Sequence, residues 1–283
     1  MSRSSAWPSV DVDAPMRGVR YEVLPDGIAV IALDRPERGN ALAPEMVAEI
    51  RAIWERVRIS DDIRVVIVTG TGERHFCTGA DMRITASDGA VAASNGPLSD
   101  EVFWTARQNK VWKPVIAAVN GTVAGAGLHF VVDADIVVAR RGCEFLDTHV
   151  NVGLVGGLEN IGLAKRVPFG TALRMSLQGK DFRLTADRAY TLGLVDELAD
   201  PGSELDVALG IARSIAANSP QAVSLTQQAI WHSLEVGYEA SLNYAWALIR
   251  LQWSHPDYVE GPRAFAERRA PVWVPDPDAR RTT

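Results

Sequence analysis

The 283-residue chain has only two cysteines, Cys77 and Cys143, and no CxxC pair or Cys/His cluster. That argues against a zinc module. So distant a pair in so long a chain reads as two reduced packing residues, not as a disulfide framework. Excess positive charge is missing too: the net charge is −6 and the pI about 5.4. A general nucleic-acid binder needs the opposite, a basic surface that neutralises phosphates. No apolar run approaches the ~18 residues that cross a bilayer. The opening stretch "MSRSSAWPSVDVDAPMRG" lacks the apolar centre of a secretory signal. These absences point to a cytoplasmic protein with neither a membrane nor a nucleic-acid partner. There is no Walker A sequence, no GxSxG elbow and no complete GxGxxG fingerprint, since "GAGLHF" lacks the third glycine. No repeat and no low-complexity tract is visible.

What is present is ordinary globular material, 47% hydrophobic and 23% charged, in a chain long enough to bury a sizeable core. "VRYEVL" (19–24) and "IAVIALD" (28–34), joined through "PDG", predict a β-hairpin. Met46, Val47, Ile50, Ile53, Trp54 and Val57 recur at helical spacing over 43–58, with Pro44 suited to the first turn. "RVVIVTG" (64–70), "PVIAAVNG" (114–121) and "DIVVAR" (135–140) are continuous apolar runs. Such runs predict strands buried on both faces, as in a parallel sheet, and their alternation with helical segments predicts an α/β layered domain. The small polar stretch 84–99 reads as a mobile loop. Beyond residue 158 the pattern turns helical, and Ser203 with an acid three residues on reads as an N-cap. The chain thus divides into a loose arm (1–18), an α/β core (19–200), a helical region (201–274) and a loose tail (275–283). The helical region's tryptophans, Trp231, Trp246 and Trp253, read as core and subunit-interface packing.

Two glycine-containing turns, "HFCTGAD" (75–81) and "NGTVAGAG" (120–127), each follow an apolar strand. In open α/β sheets ligands bind just past strand ends. Glycines let backbone N–H groups come close to a ligand, and the second turn opens a helix whose first N–H groups lack partners. One N–H from each turn, aimed at a common point, forms an oxyanion hole. Either turn alone is equally readable as tight packing.

"LDRPERGNAL" (33–42), "HFCTGADM" (75–82), "KPVIAAVNGTVAGAGLHFVVDADIVVA" (113–139) and "LTADRAYTLGLVDEL" (184–198), taken in that order, resemble the crotonase superfamily, the enoyl-CoA hydratase/isomerase family. The resemblance spans about residues 20–270. It implies a crotonase-like spiral of ββα units, a helical C-terminal trimerisation region, and a homotrimer or dimer of trimers. It implies an acyl-CoA thioester as ligand, with coenzyme A belonging to the substrate and no metal or redox cofactor. Matched motif by motif, the oxyanion-hole donors fall at Ala80 and Ala126. The substrate-binding segments place Arg38, Ala41, Gly79, Asp81 and Gly125 along the thioester. Arg268, in "FAERR", is a partner for phosphate, or else a solvated helix residue.

The chain departs from the family at the acid–base pair. Relatives place a glutamate directly after the glycine cluster and a second one four residues past a phenylalanine. Here those places hold His129 and, counting from Phe145, His149. An imidazole still suits proton transfer near neutral pH. Asp147 lies two residues before His149, so an extended segment would point both side chains the same way. Glu159 in "GGLEN" is a further carboxylate for the pocket wall, or a helix N-terminal charge. His129 is also readable as a satisfied core histidine, and His75 as structural. The expected activity is that of the enoyl-CoA hydratase/isomerase type, through a thioester enolate held by Ala80 and Ala126. His149, Asp147, His129 and Glu159 would share the proton transfers. The alternatives are a retro-Claisen C–C hydrolase of a β-diketone or β-keto thioester, and a weakly catalytic CoA-ester-binding subunit.

Overall fold

A computed structural model describes residues 11–88 and 102–275 of the chain. The hairpin forms as the sequence predicts: β1 (Val19–Val23) pairs antiparallel with β2 (Ile28–Leu33). α1 (Pro44–Ile59) follows and buries Met46, Ile50, Ile53, Trp54 and Val57, the apolar stripe of the sequence. The continuous apolar runs become β3 (Val65–Gly70), β5 (Val115–Val119) and β7 (Ile136–Arg140). With β10 (Glu197–Ala199) they complete a six-stranded sheet of order β1-β2-β3-β5-β7-β10, parallel from β2 onward.

Each of the three central strands is followed at once by a short strand of a second sheet: β4 (His75–Cys77), β6 (Thr122–Ala124) and β8 (Glu144–Leu146). β9 (Leu184–Thr185) closes this four-stranded sheet, of order β4-β6-β8-β9. The recurring ββ step is the crotonase-like spiral. The reason the central strands lack alternation is visible in the packing. Val66, Val68, Ala117, Val119 and Val137 face a core shared with α1 and the second sheet. Val65, Ile67, Ile116, Ala118 and Val138 face a second core on the opposite side. Both faces are therefore withdrawn from water, at about 1.5–3 kcal/mol for each large aliphatic side chain.

α7 (Glu204–Ala216) covers that second face through Ala208 and Ala212. Ser203 does precede α7, but its hydroxyl donates to the Asp200 carbonyl instead of accepting from the helix, and the Glu204 carboxylate takes the Gly202 N–H. The remaining helices are α4 (Leu158–Arg166), α5 (Phe169–Gln178) and α6 (Ala186–Leu192), then α8 (Pro220–His232), α9 (Tyr238–Gln252) and α10 (Asp257–Glu267). Among the described residues no helix is long and apolar enough to cross a membrane. Cys77 and Cys143 are buried and unpaired.

The expected loop at 84–99 is corrected at its start. Residues Met82–Asp88 form a helix, α2, whose N-terminus is fixed where Asp81 Oδ1 accepts the Arg83 N–H. The rest of that stretch, from residue 89, lies outside the described residues, as do residues 1–10 of the expected arm and 276–283 of the expected tail. The described part of the arm is tied down, because Arg17 and Gly18 donate their N–H groups to the Glu49 carboxylate.

Candidate active site

The two glycine turns lie against each other. A side chain on Gly79 would meet Ala124 O and Ala126 N at 3.0 Å, and the Gly79 φ of 89° suits glycine alone. The first turn is strapped to the segment 39–42. Leu42 donates to Gly79 O at 2.8 Å, Asp81 to Leu42 O at 2.9 Å, and Thr78 to Gly39 O at 3.1 Å. This single parallel bridge between Leu42 and Ala80 uses the groups on either side of Ala80. In extended backbone successive N–H groups alternate in direction, so the Ala80 N–H points away from Leu42. Ala126 is the second residue of a 3-10 turn, Gly125–Leu128, where an N–H has no intrahelical acceptor. The turn runs directly into α3 (His129–Val132), which is fully buried, as the sequence predicts.

His149 closes the other side. Its Cε1 lies 3.7 Å from where a Gly125 side chain would begin. The segment is not extended: it leaves β8 and turns into a 3-10 turn, His149–Val152. That turn folds the imidazole back onto Asp147. Nδ1 stands 2.6 Å from Asp147 Oδ1, and the His149 backbone N–H donates to the same oxygen at 3.0 Å. The other Asp147 oxygen accepts from Asn160 Nδ2 at 2.7 Å. Asp147 is completely buried. Burial by itself would raise its pKa, but the hydrogen bonds from His149 and Asn160 outweigh this and hold it below the usual carboxylate range. The same hydrogen bond raises the pKa of His149 against the opposing effect of burial, with the Glu159 and Asp147 charges adding to the rise.

Glu159, the second residue of α4, reaches both imidazoles. Oε2 is 3.3 Å from His129 Nε2, and Oε1 is 3.1 Å from His149 Nδ1. The latter is a close approach without hydrogen-bond alignment, since the Nδ1 proton is directed at Asp147; Oε1 is buried with no hydrogen-bond partner. Burial raises the Glu159 pKa. His129 is buried, and desolvation followed by repulsion from His149 lowers its pKa to about 4. It is therefore neutral at pH 7. Its Nδ1 lies 3.1 Å from Gln108 Nε2.

Asp147, His149 and Glu159 present donor atoms within 4.8 Å of one another, a spacing a metal ion accepts. The 2.6 Å separation of His149 from Asp147 is that of a charge-assisted hydrogen bond with a proton between the two atoms. As it stands, the trio is a cluster of two carboxyls and one imidazole, with Asp147 and His149 joined by that hydrogen bond. His149 Nε2 makes no hydrogen bond among the described residues, and the ring is 18% exposed.

The structure thus brings together Gly79, Gly125, Ala126, Asp147, His149, Glu159 and His129. Ala41 is buried and its carbonyl accepts from Arg35, which also pairs with buried Asp81 at 2.9 Å. Arg38 is exposed at the end of a 3-10 turn. Arg268 is exposed at the C-terminal end of α10, and its side chain forms no ion pair among the described residues. His75 is half-buried in β4, between Asn40 and the Gly39 backbone. Sequence reasoning missed Gln108, Asn160 and Gly156. Asn160 directly follows Glu159 and could have been found by proximity; Gln108 carried no signal.

The chain resembles known proteins along most of its length. The enoyl-CoA hydratase/isomerase family profile matches residues 24–276. The chain is 34% identical over 247 residues to (E)-benzylidenesuccinyl-CoA hydratase of Thauera aromatica, covering 87% of this chain and 95% of that one. It is 33% identical to 1,2-epoxyphenylacetyl-CoA isomerase of Escherichia coli K12, covering 88% and 95%. The crystal structure of an enoyl-CoA hydratase/isomerase from Mycobacterium paratuberculosis superposes with a TM-score of 0.82 at 37% identity, covering 92% of this chain and 98% of that one. With motif order, spiral fold and paired glycine turns all in place, the chain belongs to the enoyl-CoA hydratase/isomerase family, the crotonase superfamily.

Proposed function

We propose that this protein adds water to an acyl-CoA thioester, with His149 as the base. The observation that carries this reading is the Asp147–His149 pair. Asp147 holds the Nδ1 proton, so neutral His149 keeps a lone pair on Nε2, next to the Cε1 that lies beside Gly125. The thioester carbonyl is received by the Ala80 and Ala126 N–H groups. His149 Nε2 takes a proton from water as the oxygen bonds to the β-carbon of an enoyl thioester. Electrons move to the carbonyl oxygen, and the resulting enolate is held by the two N–H groups. Glu159, whose burial favours the protonated carboxyl, supplies the proton to the α-carbon, with His129 at its other oxygen. Arg38, Ala41, Gly79, Asp81 and Gly125 line the path of the coenzyme, and Arg268 meets its phosphates. The hydratase named among the relatives supports this choice.

A second reading is C–C hydrolysis, in which the same activated water attacks the keto carbon of a β-keto thioester or β-diketone. The observation favouring it is that two imidazoles stand where the family's two glutamates do, both within 3.3 Å of Glu159. We also propose a homotrimer or dimer of trimers acting in the cytoplasm. Apolar side chains left exposed on α9 and α10 support assembly, among them Leu242, Trp246 and Phe265.

The test is mass spectrometry of enoyl-, β-keto- and cyclic acyl-CoA thioesters incubated with the protein in deuterated water. Water addition with deuterium at the α-carbon is the expected result, and it should vanish in His149→Ala. A cleaved carbon chain selects the second reading. CoA-ester binding with no turnover of any thioester would leave the protein a binding subunit.

A further inference from the structure

We infer that Gln108 is a positioning residue that fixes the tautomer of His129. Gln108 Oε1 accepts two backbone N–H groups, from Trp104 at 2.8 Å and Thr105 at 3.1 Å. Backbone N–H groups can only donate, so this end of the amide is the carbonyl oxygen and the assignment admits no flip. The other end is therefore NH2, and it stands 3.1 Å from His129 Nδ1. A donor facing a ring nitrogen requires that nitrogen to carry a lone pair. Neutral His129 thus bears its proton on Nε2, which lies 3.3 Å from Glu159 Oε2.

Two consequences follow. His129 has no free ring lone pair, since Nδ1 receives the Gln108 amide and Nε2 carries the proton, so it is not a base. Its Nε2–H side faces Glu159 Oε2 in a 3.3 Å approach without hydrogen-bond alignment, an electrostatic contact that sets the polarity the carboxyl meets. The side chain that faces Glu159 is thus itself oriented by a glutamine 21 residues upstream, anchored to main chain. The role in turnover rests on the reading under Proposed function; the tautomer does not.

The experiment is long-range proton–nitrogen NMR on protein labelled with nitrogen-15 in its five histidine rings. His129 is identified by the signal lost in His129→Asn. The wild type should show an unprotonated Nδ1 and a protonated Nε2. Gln108→Glu retains an oxygen for the Trp104 and Thr105 N–H groups but turns an acceptor toward His129, so the proton should move to Nδ1. Gln108→Leu removes the bias, and both tautomers should appear. With a thioester that the wild type turns over, Gln108→Glu should lower kcat by about 10²-fold with little change in KM. A wild-type ring protonated on Nδ1, or a ring unchanged by Gln108→Glu, overturns the assignment. A switched tautomer with undiminished kcat overturns the positioning role. Because the spectra need no substrate, they read the tautomer even if no thioester is turned over.

Discussion

Both hydrogens that His149 offers on one side, the ring Nδ1–H at 2.6 Å and the backbone N–H at 3.0 Å, go to a single oxygen, Asp147 Oδ1. One atom thus sets the rotamer, the tautomer and the charge preference of the imidazole. Its partner oxygen is held by Asn160, which also donates to Ser176 on α5. The Asp147–His149 pair is anchored from two helices.

Asp147→Asn should remove the acceptor that selects the Nδ1–H form. We expect kcat on a turned-over thioester to fall by about 10²–10⁴-fold with KM changed little. Steady-state kinetics test this, and an unaltered kcat would detach Asp147 from the chemistry.

The pH profile follows from the raised pKa of His149. A base must be unprotonated, so kcat/KM should fall as pH drops through that pKa, with the acidic limb above the ordinary histidine value of about 6.5. For stability the sign is opposite. The Asp147–His149⁺ attraction contributes fully below the unfolded histidine pKa and is lost as pH rises through the raised folded one. In Asp147→Asn the activity limb should move toward lower pH, which rate measurements across pH 5–9 would show.

His129 carries the reverse linkage. Its folded pKa of about 4 lies below the unfolded value, so the folded state excludes a proton that the unfolded chain binds. Stability from this residue is complete above pH 6.5 and is lost on the way down to about 4, on the order of 3 kcal/mol at the limit. Urea unfolding at pH 7 and pH 5 should show a smaller loss in His129→Gln than in the wild type. Equal losses would place the acid sensitivity elsewhere.

Gly156 leaves room for Asp147 and Asn160 by having no side chain. A methyl there would lie 2.5 Å from Asn160 Nδ2 and 2.7 Å from Asp147 Oδ2. Gly156→Ala should displace one or both, lowering kcat and costing about 1–3 kcal/mol of stability. Parallel kinetics and thermal melts would test it; wild-type values in both would show that the site yields freely.

Gly79→Ala addresses the proposed oxyanion hole, whose backbone donors cannot be deleted. The new methyl would press on Ala126 N at 3.0 Å from a backbone with φ of 89°. A misplaced donor typically costs about 10²–10³-fold in kcat. Thioester binding measured by calorimetry should survive far better than turnover.

Much of this was legible in the primary structure, for identifiable reasons. The runs at 64–70, 114–121 and 135–140 announced doubly buried strands because each is apolar without alternation, and the sheet has a core on either side. His129 and His149 were singled out by the family resemblance, as the residues standing where relatives carry their two glutamates. Asp147 was paired with His149 on the condition of an extended segment; a turn makes the contact instead.

Local pattern, then, determined the long strands, most of the helices and the glycine turns, since each depends on residues near in sequence, while the resemblance marked the two unusual histidines. Tertiary structure alone decided what those histidines contact. Glu159 reaches both rings because α4 crosses α3 where Gly162 has no side chain, its β-carbon position lying 2.6 Å from Val132 Cγ2. Gln108 meets His129 because a turn at 104–109 is closed by its own amide oxygen. Such contacts join segments tens of residues apart. Their distances are set by packing, which leaves no periodicity in the chain to read.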